Sequence, residues 1–259
     1  MTSLVHYRVH GAVARLTLDS PHNRNALSTA LVEQLLQGFS DAADEPDVRV
    51  VVLDHTGGTF CAGADLAESS SGSRPSNPGD IAVDRAREMT KLLRAILELP
   101  LPVIGAIDGH VRAGGMGLIG ACDLVVAGPK CTFALTEARI GVAPSIISLT
   151  LLPKISPRAA GRYFVTGEKF GAAEAAEIGL ITVAADDVED TVAALAGEIA
   201  KGSPQGLAAS KALTTASILR RFDEDAEALT RQSAQLFVSD EAREGMTAFL
   251  QKRPPNWVG

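Results

Sequence analysis

The sequence predicts a mixed α/β fold, and three observations predict it. Residues 48–53 and 103–107 are β-branched, apolar runs that read as buried strands, and each leads through glycines into a small-residue segment, FCAGAD at 60–65 and AGGMGLIGAC at 113–122. From Ser156 onward the pattern turns helical, with Ser-Pro starts and glycine stops. Neither a GxGxxG turn nor a P-loop follows any strand, which argues against a dinucleotide fold.

Each element has a local reason. Residues 4–18 alternate His6, Arg8 and Arg15 with apolar positions around Gly11-Ala12, a β-hairpin signal. In SPHNRNALS, Pro21 and the Asn/His cluster make a loop, and Ser28 caps a helix with the stripe Leu31, Leu35, Phe39. Strand 48–53 ends at Gly57-Gly58. The polar run ESSSGSRPSNPGD at 68–80 cannot build core and is expected to be mobile. A helix over 81–99 presents Met89, Leu92, Leu93 and Ile96, and Pro100 and Pro102 stop it. Strand 103–107 passes through a loop from Asp108-Gly109 into a helical run over 116–122, then strand 124–127. Beyond it, helices are expected up to Gly167, up to Gly179, over 187–201, after Ser203-Pro204, and from about 223 to 250. This divides the chain into 1–200, a strand-containing core, and 201–259, a helical region.

Composition narrows the function. At 259 residues, 46% apolar and 21% charged, the chain suits one large domain with a sizeable core, or one domain with an appended helical piece. A net charge of −7 with no basic block argues against nucleic acid, and an anionic ligand would need a local cationic patch. Cys61, Cys122 and Cys131 have no CxxC spacing, so they read as reduced core thiols, not disulfides or metal ligands. No stretch approaches the ~18–20 apolar residues of a membrane span. MTSLVHYRVHG has no basic region before an apolar core, so a cytoplasmic location is expected.

A strand that stops at a glycine pair and becomes a helix exposes unpaired N–H groups that favour a negative oxygen. Two such turns can each offer one N–H to the same oxygen, which is what an oxyanion hole requires for a carbonyl becoming an enolate or a tetrahedral adduct. FCAGAD, then AGGMGLIGACDLVVA at 113–127, then FALTEARIGV at 133–142 resemble the crotonase (enoyl-CoA hydratase/isomerase) superfamily, and the likeness runs to EGMTAFLQKR near the end. The resemblance implies a spiral of ββα units with two roughly perpendicular sheets. It also implies C-terminal helices that roof the site and form a homotrimer or a dimer of trimers. The implied ligand is an acyl-CoA thioester, with coenzyme A part of the substrate and no further cofactor or metal.

Residue by residue, the resemblance implies the amides of Ala64 and Gly114 as oxyanion donors. Arg24, Ala26, Ala62, Ala64, Asp65, Leu66 and Gly114 would contact the substrate and its CoA part, Arg24 as a phosphate contact or else a solvated loop arginine, with Lys252 near a CoA phosphate. Ser233 stands where the family places an aromatic beside the adenine. Hydratases of the family commonly hold one water between two glutamates. The first of those positions is Gly117 here, and the second is Glu137. Glu137 reads as the acid–base residue, or as half of an ion pair with Arg139 or Arg112. Asp65 and Asp123 read as turn or capping residues. Ser145 lies where some relatives carry another acid and can only orient water or a substrate group. His110 and Arg112 read as loop-packing residues or as acyl-pocket lining. His6, His10, His22 and His55 have no companion pattern. The expected function is therefore a hydratase-like acyl-CoA enzyme with one glutamate. The alternatives are a Δ3,Δ2-enoyl-CoA isomerase, which needs only one base, and a non-catalytic acyl-CoA-binding member.

Overall fold

The computed structural model describes residues 3–65, 68 and 77–259. In chain order its strands are β1 (Val5–His10), β2 (Val13–Leu18), β3 (Val50–His55), β4 (Thr59–Cys61), β5 (Val103–Ile107), β6 (His110–Arg112), β7 (Leu124–Ala127), β8 (Thr132–Ala134), β9 (Phe170–Gly171) and β10 (Val183–Ala184). A larger sheet runs β1-β2-β3-β5-β7-β10 and a smaller one runs β4-β6-β8-β9. The opening hairpin pairs antiparallel, and β2, β3, β5, β7 and β10 are joined in parallel.

The helices are α1 (Thr29–Asp44), α2 (Pro78–Glu98), α3 (Gly114–Ala121), α4 (Ser148–Leu151), α5 (Pro157–Thr166), α6 (Ala172–Glu177), α7 (Val188–Ile199), α8 (Pro204–Phe237) and α9 (Asp240–Leu250). Their starts follow side-chain chemistry. Ser28, Ser156, Asp187, Ser203 and Ser239 each accept a hydrogen bond from an orphan N–H of the first turn. α2 begins at Pro78, earlier than the apolar stripe suggests, because Asn77 caps it.

The larger sheet is covered on both faces, which is why β3 and β5 read as unbroken apolar runs. On one side Leu16, Val51, Leu53 and Val103 join Leu31, Leu35 and Phe39 of α1 and Leu92, Leu93 and Ile96 of α2 in the main core. On the other, Val50, Val52, Ile104, Ala106 and Val126 pack with Val192 and Ala196 of α7. Cys61, Cys122 and Cys131 are free and buried, and burial pushes the thiols of Cys61 and Cys122 up to about 12. No helix among the described residues is long and apolar enough to cross a membrane.

Two expectations are corrected. The chain does not break near 223: α8 is one 34-residue helix, and the break falls at Val238-Ser239, where Ser239 caps α9. Phe222, on the buried side of α8, carries the apolar face through the expected boundary. The stretch after Asp108 is not all loop, since 110–112 forms β6 of the smaller sheet. Strands of two or three residues leave too little alternation to show in a sequence.

Candidate active site

β4, β6 and β8 are consecutive parallel neighbours in the smaller sheet, so their carboxyl ends lie along one edge. The chain leaves β4 into 62–65, β6 into Ala113-Gly114, and β8 into 135–137. Carboxyl ends of parallel strands are where open α/β sheets hold ligands. Here that edge gathers both glycine turns and Glu137.

The two turns are locked against each other. Leu27 and Ala64 form a parallel bridge, in which Leu27 N–H donates to Gly63 O (2.8 Å) and Asp65 N–H donates to Leu27 O (3.3 Å). In such a bridge Ala64's own N–H points away from Leu27. Gly114 opens α3, so its N–H has no acceptor inside the helix. A Cβ at Gly114 would lie 3.7 Å from Ala64 N, and one at Gly63 would lie 3.3 Å from Gly114 N. The two turns therefore lie in direct contact, with the amide nitrogens of Ala64 and Gly114 at their junction. Gly63 also has φ +96° and would meet the Ala113 methyl at 2.8 Å. Ala113 itself sits at φ 45°, ψ −119°, a strained backbone for a residue with a side chain.

The loop before α1 presses on the first turn. Asn25 is buried at φ 54°, its Oδ1 accepting from Ser20 N–H and its Nδ2 donating to Thr56 O and Thr59 O. Arg24 is exposed at φ 59°, and its carbonyl accepts from Ala62 N–H (3.1 Å). Ala26 is buried beside it. Asp65 accepts from Asn23 Nδ2 and from Glu68 N–H, as a turn residue does. Leu66 lies outside the described residues, as do 69–76 of the polar run. Arg24, Ala26, Ala62, Ala64, Asp65 and Gly114 are thus gathered by backbone pairing and contact. Lys252 is exposed beyond the end of α9 with φ 54°. That helix packs on the turn after Glu137, where Gly245 leaves no room for a Cβ over Ile140. Ser233 is buried on α8.

Glu137 begins a 3-10 turn, Glu137–Ile140, and is 8% exposed. Its Oε2 is buried with no hydrogen-bond partner. Burial pushes its carboxyl up to about 7, only partly offset by its own backbone N–H. Among the described residues no ion pair holds it. Arg139 Nε donates to Thr166 O, and Arg112 donates to Val111 O, Thr132 O and Thr132 Oγ1. His110 meets the same Thr132 hydroxyl, so His110 and Arg112 tie β6 to β8.

Gly117 faces a filled space. A Cβ there would lie 3.0 Å from Ile147 Cβ and 3.1 Å from Met89 Cε, with Ile147 Cγ2 closer still. Ser145 is buried and its Oγ donates to Gln232 Oε1 of α8 (3.0 Å). Asp123 accepts from Val103 N–H and pairs with Lys211 Nζ, each at 2.8 Å, a structural role. His55 Nε2 accepts from Asp108 N–H, and burial lowers its pKa, so it pins the turn after β5 as a neutral ring. No group of three or more His, Cys, Asp or Glu among the described residues is placed to hold a metal ion. Sequence reasoning missed Leu27 and Ile147. Both are ordinary core residues in pattern, and only contact with a glycine across the fold marks them.

The family described as enoyl-CoA hydratase/isomerase matches residues 8–259. A solved structure from Mycobacterium avium paratuberculosis, titled a putative enoyl-CoA hydratase, superposes with a TM-score of 0.93 at 67% identity, covering 99% of this chain and 100% of that one. A putative enoyl-CoA hydratase of Thermus thermophilus is 33% identical over 95% of this chain and 98% of its own length. A carnitinyl-CoA dehydratase of Proteus mirabilis is 30% identical over the full length of both.

Proposed function

The chain belongs to the enoyl-CoA hydratase/isomerase family, and from that premise we propose that it moves a proton along the acyl chain of an enoyl-CoA thioester with Glu137 as its one acid–base group. The observation that carries this reading is the buried Glu137 carboxyl, its Oε2 without a partner, on the same strand edge as the two glycine turns. A pKa near 7 lets one group both take and return a proton at neutral pH.

In this reading the thioester oxygen accepts from Ala64 N–H and Gly114 N–H. Each donor contributes roughly 2.7–4 kcal/mol once charge develops there, by analogy with donor removal in other enzymes. Glu137 removes a proton from C2 of a 3-enoyl-CoA, and the C–H electrons pass into a dienolate held by the two amides. The protonated carboxyl then delivers that proton to C4, and the double bond ends between C2 and C3. Arg24 and Lys252 supply positive charge for CoA phosphates, and coenzyme A enters only as part of the substrate. The trimeric assembly stays part of the proposal, supported by exposed Phe249, Leu250, Trp257 and Val258 on the C-terminal segment. Sedimentation at a single mass of one chain would count against it.

Hydration is the second reading. The relatives named hydratases favour it, and the buried Ser145 hydroxyl offers a second group to hold water. Following conjugated-thioester absorbance separates the two. A rise from a 3-enoyl-CoA that Glu137→Gln abolishes supports isomerisation, and a fall from crotonyl-CoA supports hydration. Tight binding with neither change would make this a binding member of the family.

A further inference from the structure

We infer that Ile147 sets the reaction class of this site, by filling the volume that an acid at position 117 would need. This rests on the one-base reading of Glu137. The first observation is steric. Real Cβ atoms essentially never approach a neighbour closer than 3.0 Å, and a Cβ at 117 would meet Ile147 Cβ at that limit and its Cγ2 inside it. The second is rigidity. Ile147 is β-branched, 4% exposed, and stands at the start of α4. α4 is fastened to α3 by Thr150 Oγ1, which donates to Gly117 O (3.1 Å), the carbonyl of the residue in question. The start of α4 is held in turn by Ser148 Oγ donating to Ser145 O (2.6 Å) and by Leu151 N–H donating to Ile147 O (3.0 Å). Met89 contributes only the flexible end of its side chain and can swing aside, whereas the Ile147 Cβ is fixed by the backbone and moves only with α4.

The consequence concerns water as well as acid. With Ile147 and Met89 against Gly117, the two side chains nearest that position among the described residues are both apolar. A lone carboxylate with no acid at position 117 suits a substrate that supplies its own proton, as a 3-enoyl thioester does. Position 117 and position 147 therefore act as a pair. A single Gly117→Glu change inserts a charged side chain where a fixed methyl sits, while pairing it with a smaller residue at 147 opens the volume.

The test compares wild type, Gly117→Glu, Ile147→Gly and the double variant for melting temperature and crotonyl-CoA hydration. Gly117→Glu alone should melt roughly 5 °C lower and gain no hydration. The double variant should hydrate roughly 100-fold faster than Ile147→Gly, the contribution of one positioned acid–base group. Full hydration in the single variant at unchanged melting temperature would overturn the inference, and so would a folded double variant no faster than Ile147→Gly. Should glycine at 147 prevent folding, Gly117→Ala measured with Ile147 and with Ile147→Ala decides the steric half. Its destabilisation should fall by at least half in the second background, and an equal penalty in both refutes the role of Ile147. Failure of the one-base reading is read separately, from turnover of a 3-enoyl-CoA by wild type and Glu137→Gln.

Discussion

Two carboxylates 14 residues apart in sequence, Asp123 half-buried and Glu137 buried, show how partners divide structure from chemistry. Asp123 precedes β7 and holds Val103 N–H and Lys211 Nζ, and that ammonium also donates to Ile96 O and Leu101 O. Glu137 follows β8 with one oxygen that nothing satisfies. The first spends its charge joining α8, α2 and the larger sheet. The second keeps its charge costly, and in the proposed reading a substrate completes it.

The comparison breaks first at Glu137. Glu137→Gln should lower turnover by roughly 10²–10⁴-fold while acyl-CoA binding, followed by calorimetry, changes little. Asp123→Asn in the same assay should leave turnover per folded molecule near wild type. If both variants lose turnover equally, partner count does not separate their roles.

Stability should reverse the order. Lys211→Met removes the buried cation of the pair, leaving the half-buried Asp123 and the Ile96 and Leu101 carbonyls without their donor, and should destabilise by about 3 kcal/mol in urea titrations. Removing the Glu137 charge should instead stabilise the fold, because that carboxylate is desolvated and unpaired.

The sign follows from linkage and sharpens the contrast. The folded pKa of Glu137, about 7, lies above the ordinary 4.5, so the folded state holds more protons between those values. Stability should therefore fall as pH rises from about 4.5 to 7 and level off above, by about 3 kcal/mol at most. Glu137→Gln should remove that part of the pH dependence, and an identical stability–pH profile in the variant would contradict it. Turnover should rise with pH through about 7, as the base form appears.

The smallest effect belongs to the oxyanion turn. Ala113→Gly relieves backbone strain at φ 45° and should stabilise by about 1 kcal/mol after the entropy of glycine is counted. It also removes the methyl that packs beside Gly63 and loosens the turn carrying Gly114, so in the proposed reading kcat should fall while KM moves little.

Local signals made much of this legible. Ser28, Ser156 and Ser203 mark helix starts because capping is chemistry between near neighbours, and strands 103–107 and 124–127 emerge at the expected residues because both faces of the larger sheet are buried. The smaller sheet that aligns the site was not legible, since its strands are two or three residues long and gain their identity only from one another. The continuity of α8 past residue 223 was hidden for a related reason: its packing along α2 outweighs local breaks in pattern.

The sequence by itself determined the pair of glycine turns, a lone glutamate at 137 and the missing side chain at 117. Those follow from residue type and order. Tertiary structure decided what surrounds them. It left Glu137 without the arginine partners that sequence proximity suggested, and it set Ile147 and Met89 beside Gly117. The reason is physical: whether a charge is satisfied, or a volume filled, depends on atoms brought together from distant parts of the chain.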